Sequence, residues 1–430
     1  MNKVMPVLIL AAFGLSLGGC GGGGSADSSG QAHVRVVHVS PATDSVSVAF
    51  GSNTFASSLK YHDATSYQNV AEGTPELKIQ SLVTGAAFVD ANVTLTKDIH
   101  YTFFVYGGGT SVSASQLSDE TGDAASGKFR LRLTHFGTGL GAIDVYLLPT
   151  GSTVASSTPA YSNLAYAANI AFSDYSSGDY SIILTPAGAK EVIYESGKQK
   201  FAEKSKVTLA VFATGSGKLA NVALVNNDGS GTTTFVDNLD TRFRFIQTAI
   251  DLQTADVLVD GSLTLANIPY GSQSSYSSTG AGSHNFKIQS SDAPGAYLYD
   301  QTLTLGSALD YSFVAYSPQG TGTVSVFTLE DNNLPPSAGK AKLRVVNAGS
   351  DSTAYDTYVN YSKLLAAVGQ ATGSAYQQLD SGTYVLSFSP AGTTTQAATL
   401  TGQTLDATHV YTVYVYGRSA AAAAVLVKDR

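Results

Sequence analysis

The stretch VRVVHVSP (34–41) decides the fold, because three later stretches of the chain repeat it. They read LRLTHFGT (131–138), FRFIQTAI (243–250) and LRVVNAGS (343–350). Each copy is a short apolar segment that contains one arginine, a pattern typical of a β-strand. Self-similarity at a spacing of roughly 90–110 residues indicates a chain built from repeated units.

Further landmarks keep the same register in every copy, counted from Arg35, Arg132, Arg244 and Arg344. Twelve residues after these arginines stand Ser47, Asp144, Asp256 and Asp356. Six residues before a glycine stand Tyr67, Phe172, Tyr276 and Tyr376. A third aligned position holds Tyr101, Val207, Tyr311 and Tyr411. The copies close on the acidic or amide-rich segments LSDE (117–120), LVNND (224–228), LEDNN (329–333) and LVKDR (426–430). Independent segments would not keep this register, so the chain contains four copies of one unit.

Each unit is predicted to be all-β. GTPELKI (73–79) and its counterparts read as a turn followed by an alternating strand. HYTFFVYG (100–107) and its counterparts are apolar on both faces, which suits a central strand covered on either side. Short strands with closely spaced turns favour four tandem Ig-like β-sandwich-type domains, with barrels as the alternative. The alanine run 419–427 has high helix propensity, but its register with residues 324–331 predicts a strand.

The predicted organisation has six parts. Residues 1–19 form a signal peptide and residues 20–32 form a Gly/Ser tether. The four β-domains cover residues 33–120, 128–229, 241–332 and 340–430. The linkers between them are residues 121–127, 229–238 and 334–339. Because these linkers are short and polar, we expect a semi-rigid array of domains.

The N-terminal segment has the features of a secretory signal. Lys3 precedes an apolar run over residues 4–17, which is too short for a membrane-spanning helix. The sequence LGGC (17–20) resembles the lipobox of bacterial lipoproteins, in which the signal is cut before the cysteine and the cysteine is acylated. The resemblance implies lipid attachment at Cys20, and Gly21 in place of Asp implies an outer membrane lipoprotein of the cell envelope or cell surface. The alternative is a plain signal peptide in which Cys20 is incidental.

Composition restricts the partners and the source of stability. The chain has 24 Lys and Arg against 32 Asp and Glu, and only 13% of its residues are charged. Such a surface lacks the basic footprint of nucleic-acid-binding proteins, so we expect no nucleic acid partner. Cys20 is the single cysteine, so no disulfide can form within the chain and stability must come from packed cores.

The repeats resemble a bacterial domain of unknown function, the family numbered 4397. VRVVHVSPATDSVSVAFG (34–51) carries the opening strand of that family. Matching later pieces are IDVYL (143–147), GDYSIILTPAG (178–188) and GTYVLSFSPAG (382–392). Gln247 and Asn347 replace the opening His in units three and four, so this His cannot be a repeated site. The resemblance implies secreted or surface-attached tandem β-domains, and it implies no reaction.

The most regular polar feature is an arginine with an acid twelve residues later, as in Arg244 and Asp256. If the first two strands of a unit form a hairpin, these side chains lie opposite one another. They would then form either a repeated ligand clamp or an exposed ion pair that fixes the register, worth about 0.2–1 kcal/mol. Ser47 breaks the pair in the first unit, which favours the structural role.

No catalytic, cofactor-binding or metal-binding residue is predicted. The seven histidines lack zinc-site spacing, and no cysteine could complete a zinc cluster. His62 and Asp63 could hold a metal only with a distant partner. The segments NNDGSG (226–231) and EDNN (330–333) lack the alternating ligands of a calcium loop, although a weak interdomain calcium site stays open. In GDAASGKF (122–129), Phe stands where a P-loop needs Ser or Thr.

The sequence therefore predicts a surface-anchored bacterial lipoprotein that is no enzyme and acts as an extracytoplasmic scaffold, adhesion or protein-binding module. Its ligand would be an unknown protein or glycan. The 24 tyrosines allow a carbohydrate-binding protein with Tyr-rich β-surfaces, such as residues 161–180, as the alternative. Aligned tyrosines such as Tyr166 and Tyr270 favour packing instead. A hydrolase would need His, Ser and acidic side chains to converge in an interdomain cleft.

Overall fold

The prediction of an all-β chain is confirmed. A computed structural model describes residues 30–41, 43–108, 111–149, 151–319 and 321–430. Within these ranges the regular elements are strands, and no helix has the length and apolar character needed to cross a membrane. The predicted signal peptide and Cys20 lie outside the described residues.

Each unit contributes nine strands to two sheets. Unit one contains β1 (Gln31–His38), β2 (Ser45–Phe50), β3 (Asn53–Lys60), β4 (Asp63–Ala64), β5 (Gln68–Ala71), β6 (Glu76–Ser81), β7 (Ala87–Asn92), β8 (His100–Gly108) and β9 (Ser111–Ser118). Unit two contains β10 (Lys128–Phe136), β11 (Ile143–Pro149), β12 (Tyr161–Leu164), β13 (Asn169–Ser176), β14 (Gly178–Pro186), β15 (Tyr194–Phe201), β16 (Lys206–Ala213), β17 (Ala220–Asn226) and β18 (Thr233–Val236).

Units three and four follow the same order. Unit three contains β19 (Asp240–Gln247), β20 (Thr254–Val259), β21 (Ser262–Pro269), β22 (Ser272–Gln273), β23 (Ser277–Gly280), β24 (Gly282–Ser290), β25 (Tyr297–Leu305), β26 (Asp310–Tyr316) and β27 (Ser325–Asp331). Unit four contains β28 (Lys340–Gly349), β29 (Tyr355–Val359), β30 (Ser362–Val368), β31 (Thr372–Gly373), β32 (Gln377–Asp380), β33 (Gly382–Pro390), β34 (Ala398–Leu405), β35 (Val410–Arg418) and β36 (Ala421–Lys428). The alanine run is therefore a strand, as predicted.

The sheet topology is shared by the four units, except that unit two has the single strand β13 in place of two short strands and adds β18 at the edge of its first sheet. In unit one the first sheet has the order β4-β1-β8-β9, with β5 also on β1, and the second has the order β3-β2-β6-β7. Strands β1 and β8 pair in parallel, whereas their other neighbours are antiparallel. Because β1 has neighbours on both edges, β2 crosses to the other sheet. The predicted hairpin between the first two strands was therefore wrong.

Every unit has its own core between its two sheets. In β2 the side chains of Val46, Val48 and Phe50 point into this core, and the residues between them are half-buried on the outer face. The other units bury equivalent clusters around Phe129, Phe243 and Leu343. Four separate cores confirm four sandwich-like units.

The units also pack against one another in pairs through their first sheets. Phe103 on β8 lies in the core of unit one, whereas its neighbour Phe104 lies in a second cluster shared with Phe136 and Phe212 of unit two. Units three and four share an equivalent cluster that contains Ile246 and Tyr414. These shared cores explain why the β8-type strands are apolar on both faces.

The connection between the two pairs is more structured than the sequence predicts. Part of segment 229–238, expected to be a polar linker, forms β18, which pairs with β17 and widens the first sheet of unit two. Strand β19 begins four residues after β18 ends, at Asp240. The units therefore form two fused pairs joined by a short connection.

Candidate functional site

The repeated arginines have the same surroundings in every unit. Each guanidinium donates its Nε–H to a hydroxyl on the parallel neighbour strand. The pairs are Arg35 with Thr102 (2.7 Å), Arg132 with Thr208 (2.9 Å), Arg244 with Ser312 (2.8 Å) and Arg344 with Thr412 (3.3 Å). All four arginines are buried, although the sequence led us to expect exposed ion pairs.

Each arginine also lies over the aligned aromatic ring of its own unit. The distances from Cζ to the ring centroid are 4.6 Å for Arg35 over Tyr67, 4.7 Å for Arg132 over Phe172, 4.8 Å for Arg244 over Tyr276 and 4.8 Å for Arg344 over Tyr376. A cation over a desolvated aromatic face is stabilising. The repeated arginine and the aligned aromatic residue, which were recognised separately in the sequence, thus contact each other in every unit.

The acidic partners come from the closing segments and are shared across each pair of units. Asp119 at the end of unit one accepts from Arg35 (3.4 Å) and from Arg132 of unit two (2.7 Å). Asn227 stands at the equivalent position of unit two and donates its amide to Asp119 at 2.6 Å. One carboxylate therefore serves two buried arginines, and the Asn227 amide donates to that carboxylate.

Units three and four repeat this arrangement with two carboxylates. Asp331 of unit three pairs with Arg344 of unit four, and Asp429 of unit four pairs with Arg244 at 2.7 Å. Asp331 also lies 3.7 Å from Arg244 and accepts the Tyr276 hydroxyl at 2.6 Å. Burial raises the pKa of the Asp429 carboxyl. These groups, which we call the arginine clusters, hold the first sheets together.

The acids twelve residues after the arginines do something else. Asp144 accepts the backbone N–H of Asn163 at 2.8 Å, and Asp356 accepts that of Ala367 at 2.8 Å. Asn163 and Ala367 have φ of 57° and 49°, so each carboxylate holds a left-handed residue of the adjacent edge strand. The predicted pairing of these acids with the repeated arginines, as clamp or as exposed ion pair, was therefore wrong.

The opening histidines of the family pattern have a turn-forming role that Gln and Asn can share. His38, His135, Gln247 and Asn347 are all buried. Each accepts the backbone N–H two residues further on: Ser40 (3.3 Å), Gly137 (3.2 Å), Ala249 (3.2 Å) and Gly349 (2.9 Å). Burial lowers the pKa of His38 to about 4.

The candidate metal positions are spread among different contacts. His62 lies 3.2 Å from Asp237 and packs on Phe235, whereas Asp63 accepts the backbone N–H of Ala64. Asn227 and Asp331, from the two acidic segments, belong to the arginine clusters. Among the described residues no group of three or more His, Cys, Asp and Glu side chains could hold a metal ion.

The aligned tyrosines pack at the interface between the two units of each pair. Tyr166 of unit two contacts Tyr106 of unit one with ring centroids 6.1 Å apart, and Tyr270 of unit three contacts Tyr416 of unit four at 5.4 Å. Their recurrence therefore reflects the interface within each pair.

Two cavities lie where the pairs meet. One, of about 360 Å³, is lined by residues of units two, three and four, including Ser216, Arg242 and Arg430. The other, of about 420 Å³, includes His62 and Ser307. Ser307 donates its hydroxyl to the carbonyl of Asn238 at 2.6 Å, so it is directed to the backbone instead of His62.

A third, smaller pocket lies on the outer face of the second sheet of unit four. It measures about 150 Å³ and is lined by Tyr358, Tyr361, Ser387, Ser389, Thr394 and Gln396. Tyr361 is 77% exposed. No signal in the repeat pattern pointed to this pocket, because unit four departs from the other units there.

Four sandwich-like units with a shared topology and the same buried arginine define a tandem-repeat β-domain protein. The family model for a domain of unknown function, DUF4397, matches residues 32–146, 241–354 and 341–430. These segments cover more than half of the chain, so the chain belongs to this family. Unit two, most of which lies outside the matched segments, shares the topology of the others apart from β13 and β18.

The other comparisons add little. No curated protein matches the chain. Among solved structures, the Bacillus anthracis TIE protein is similar over 87% of this chain and 65% of that chain, with 8% identity and a TM-score of 0.16. The chain thus spans about 65% of that structure's length, and a similarity this low gives no information on the function of this chain.

Proposed function

We propose that this protein is a surface-anchored bacterial lipoprotein that acts as a non-enzymatic extracytoplasmic scaffold, adhesion or protein-binding module. The observation that carries the proposal is the pairing of the units. Each pair buries the outer faces of its first sheets in a shared core, so the second sheets are left to face outward. Binding partners would meet these second sheets.

The surface chemistry supports this proposal. The outward strands are rich in Ser, Thr and Asn, as in β3 (NTFASSLK) and β34 (ATLTGQTL). The side chains lining the junction cavities are largely bonded to one another: Arg242 is paired with Asp310, and Ser216 donates to Asp310 at 2.7 Å. These groups lock units two and three together instead of converging on a substrate.

The proposed anchor is a lipid on Cys20, followed by the Gly/Ser tether. We expect wild-type protein in the membrane fraction and labelled by an antibody or a biotin reagent that cannot enter cells. Cys20→Ala should move the protein to the soluble fraction, while Ser25→Ala in the tether should not. Equal membrane association of Cys20→Ala and wild type would contradict lipid anchoring.

A cross-linking pull-down from intact cells then tests the binding role. The expected result is a partner captured by the full chain and lost when outward residues of the second sheets are changed. Turnover of a substrate by the purified chain, abolished by changes at the junction cavities, would replace the proposal by an enzymatic function.

A further inference from the structure

The outer face of the second sheet differs in unit four at two aligned positions. Ser387 and Ser389 lie on β33, opposite Tyr358 and Asp356 of β29. Their counterparts by register are Lys78 and Gln80 in unit one, Ile183 and Thr185 in unit two, and Lys287 and Gln289 in unit three. Unit two also has a small hydroxyl side chain, Thr185, at one of these positions, so only unit four has small hydroxyl side chains at both.

In units two and three this face is covered. Lys287 spans unit three to reach Asp300 at 3.2 Å and Tyr297, whose ring centroid is 4.4 Å from Nζ. In unit two, Val154 from the loop after β11 packs on Tyr146 and Ile183. In unit four Lys363 of β30 reaches Asp356 at 2.7 Å and lies 5.5 Å from the ring centroid of Tyr358. No side chain of β33 extends over the face, and the pocket of about 150 Å³ lies beside Ser387 and Ser389.

Tyr361 stands beside this pocket in a conformation that tyrosine rarely adopts. Asn360 and Tyr361, with φ of 46° and 70°, form the two-residue turn between β29 and β30. Asp260 and Gly261 form the same turn in unit three, with φ of 51° and 80°. Both positions of such a turn need positive φ, for which glycine is strongly preferred. A bulky residue here costs about 1–2 kcal/mol.

The unusual tyrosine brings no packing in return. Its side chain is 77% exposed, and the turn of unit three forms without it. Strained residues that add nothing to the core are concentrated at binding sites. The ring of Tyr361 and the neighbouring Tyr358 therefore provide aromatic surface to a ligand.

The polar groups of the pocket are neutral. Ser387 and Ser389 are each only 2% exposed, and among the described residues no hydrogen bond reaches their hydroxyls, which open onto the pocket. Thr394 and Gln396 add a hydroxyl and an amide. The nearby Lys363 is neutralised by Asp356 at 2.7 Å. Aromatic rings with uncharged hydrogen-bonding groups match a sugar ring, which has apolar C–H faces and a rim of hydroxyls.

We propose that unit four binds one neutral sugar residue of a glycan in this pocket, with its apolar face against Tyr361 and its hydroxyls on Ser387 and Ser389. The proposal rests on the proposed function as an outward-facing binding module and names its ligand class. Pockets for drug-sized ligands measure roughly 300–1,000 Å³, so this smaller one suits a single ring or the end of a chain.

The first test is an array of neutral and acidic glycans, probed with the full-length chain at physiological salt. We expect binding to at least one neutral glycan, which is then titrated by calorimetry. Tyr361→Gly copies the turn of unit three, so it should fold with equal or higher melting temperature and lower the affinity at least tenfold. Ser387→Lys, the residue of unit three, should fill the pocket and lower affinity as much.

Tyr297→Ala is the control, since Tyr297 is an exposed tyrosine of unit three and should leave affinity unchanged. No binding to any neutral glycan, binding to acidic glycans only, or equal affinity in wild type, Tyr361→Gly and Ser387→Lys would overturn the proposal. Surface labelling of cells is a separate readout. A chain that binds glycan but lacks surface exposure would refute the proposed function alone.

Discussion

Arg244→Ala should destabilise units three and four far more than loss of an exposed ion pair. Arg244 is 2% exposed, lies 2.7 Å from Asp429 and 3.7 Å from Asp331, and covers the ring of Tyr276. The substitution removes the cation but leaves Asp429 in the interior. Breaking a buried pair in this way costs about 3–5 kcal/mol, because Asp429 loses the cation next to it and keeps, among the described residues, only the hydrogen bond from Thr412.

The size of the effect can be converted to a melting temperature. For a cooperative block the size of two units, 1 kcal/mol corresponds to about 2–4 °C, so Arg244→Ala should lower the melting temperature by roughly 6–20 °C. Differential scanning calorimetry would measure the shift. Lys198→Ala is the control, since its pair with Asp179 is exposed and should contribute less than about 1 kcal/mol.

A double variant separates charge burial from loss of packing. Arg244→Met with Asp429→Leu removes both charges and should recover part of the stability lost in Arg244→Ala. If Arg244→Ala shifts the melting temperature no more than Lys198→Ala, the arginine clusters do not hold the pairs together. Unchanged stability with a changed ligand affinity would instead make the cluster a ligand clamp.

Three further outcomes follow from the structure. Burial lowers the pKa of His38 to about 4, so between pH 6.5 and 4 the unfolded chain binds more protons than the folded chain. The free energy of unfolding should therefore fall by about 3 kcal/mol as pH falls through this window. His38→Gln should flatten the profile of melting temperature against pH. Burial lowers the pKa of Lys342 to about 7, so stability should rise from pH 7 to 9, a rise that Lys342→Met removes. Gly217 has φ of +67°, and a Cβ there would lie 2.3 Å from the carbonyl oxygen of Asn333. Gly217→Ala should therefore speed proteolysis at the junction of the pairs more than Gly229→Ala, which has φ of +82° and so shares the backbone strain but adds no clash.

The sequence was sufficient to predict the strands of each unit, but it did not predict that the units pack in pairs. Glycine and aromatic landmarks in one register predicted the strands, including the alanine run. Apolar residues on both faces of HYTFFVYG (100–107) predicted a covered central strand. They could not show that Phe104 meets another unit, because alternation reports burial and not the identity of the neighbour.

The partner of each arginine could not be read from local spacing. A separation of twelve residues suggested a hairpin, but β1 is enclosed by β5 and β8 and has no edge for β2. Arg35 instead meets Asp119, 84 residues later, and Asp119 also serves Arg132 of the next unit. The acidic ends of the units were the available signal, and the three-dimensional fold is what brings them to the arginines.

The pair is the smallest part of this protein in which the four repeated arginines meet carboxylates and both faces of each first sheet are covered. A single unit would expose the outer apolar face of its first sheet, including Phe104, and would separate Arg132 from Asp119. The contact between pairs is different in kind, since Ser216, Arg242 and Asn333 all bond to Asp310 there. The outer face of each first sheet is already buried against its partner unit, so apolar pairing stops at two units. Polar contacts then join one pair to the next. The outward faces of the second sheets take no part in this pairing, so unit four can carry Tyr361 where unit three has Gly261, and Ser387 where units two and three have Ile183 and Lys287.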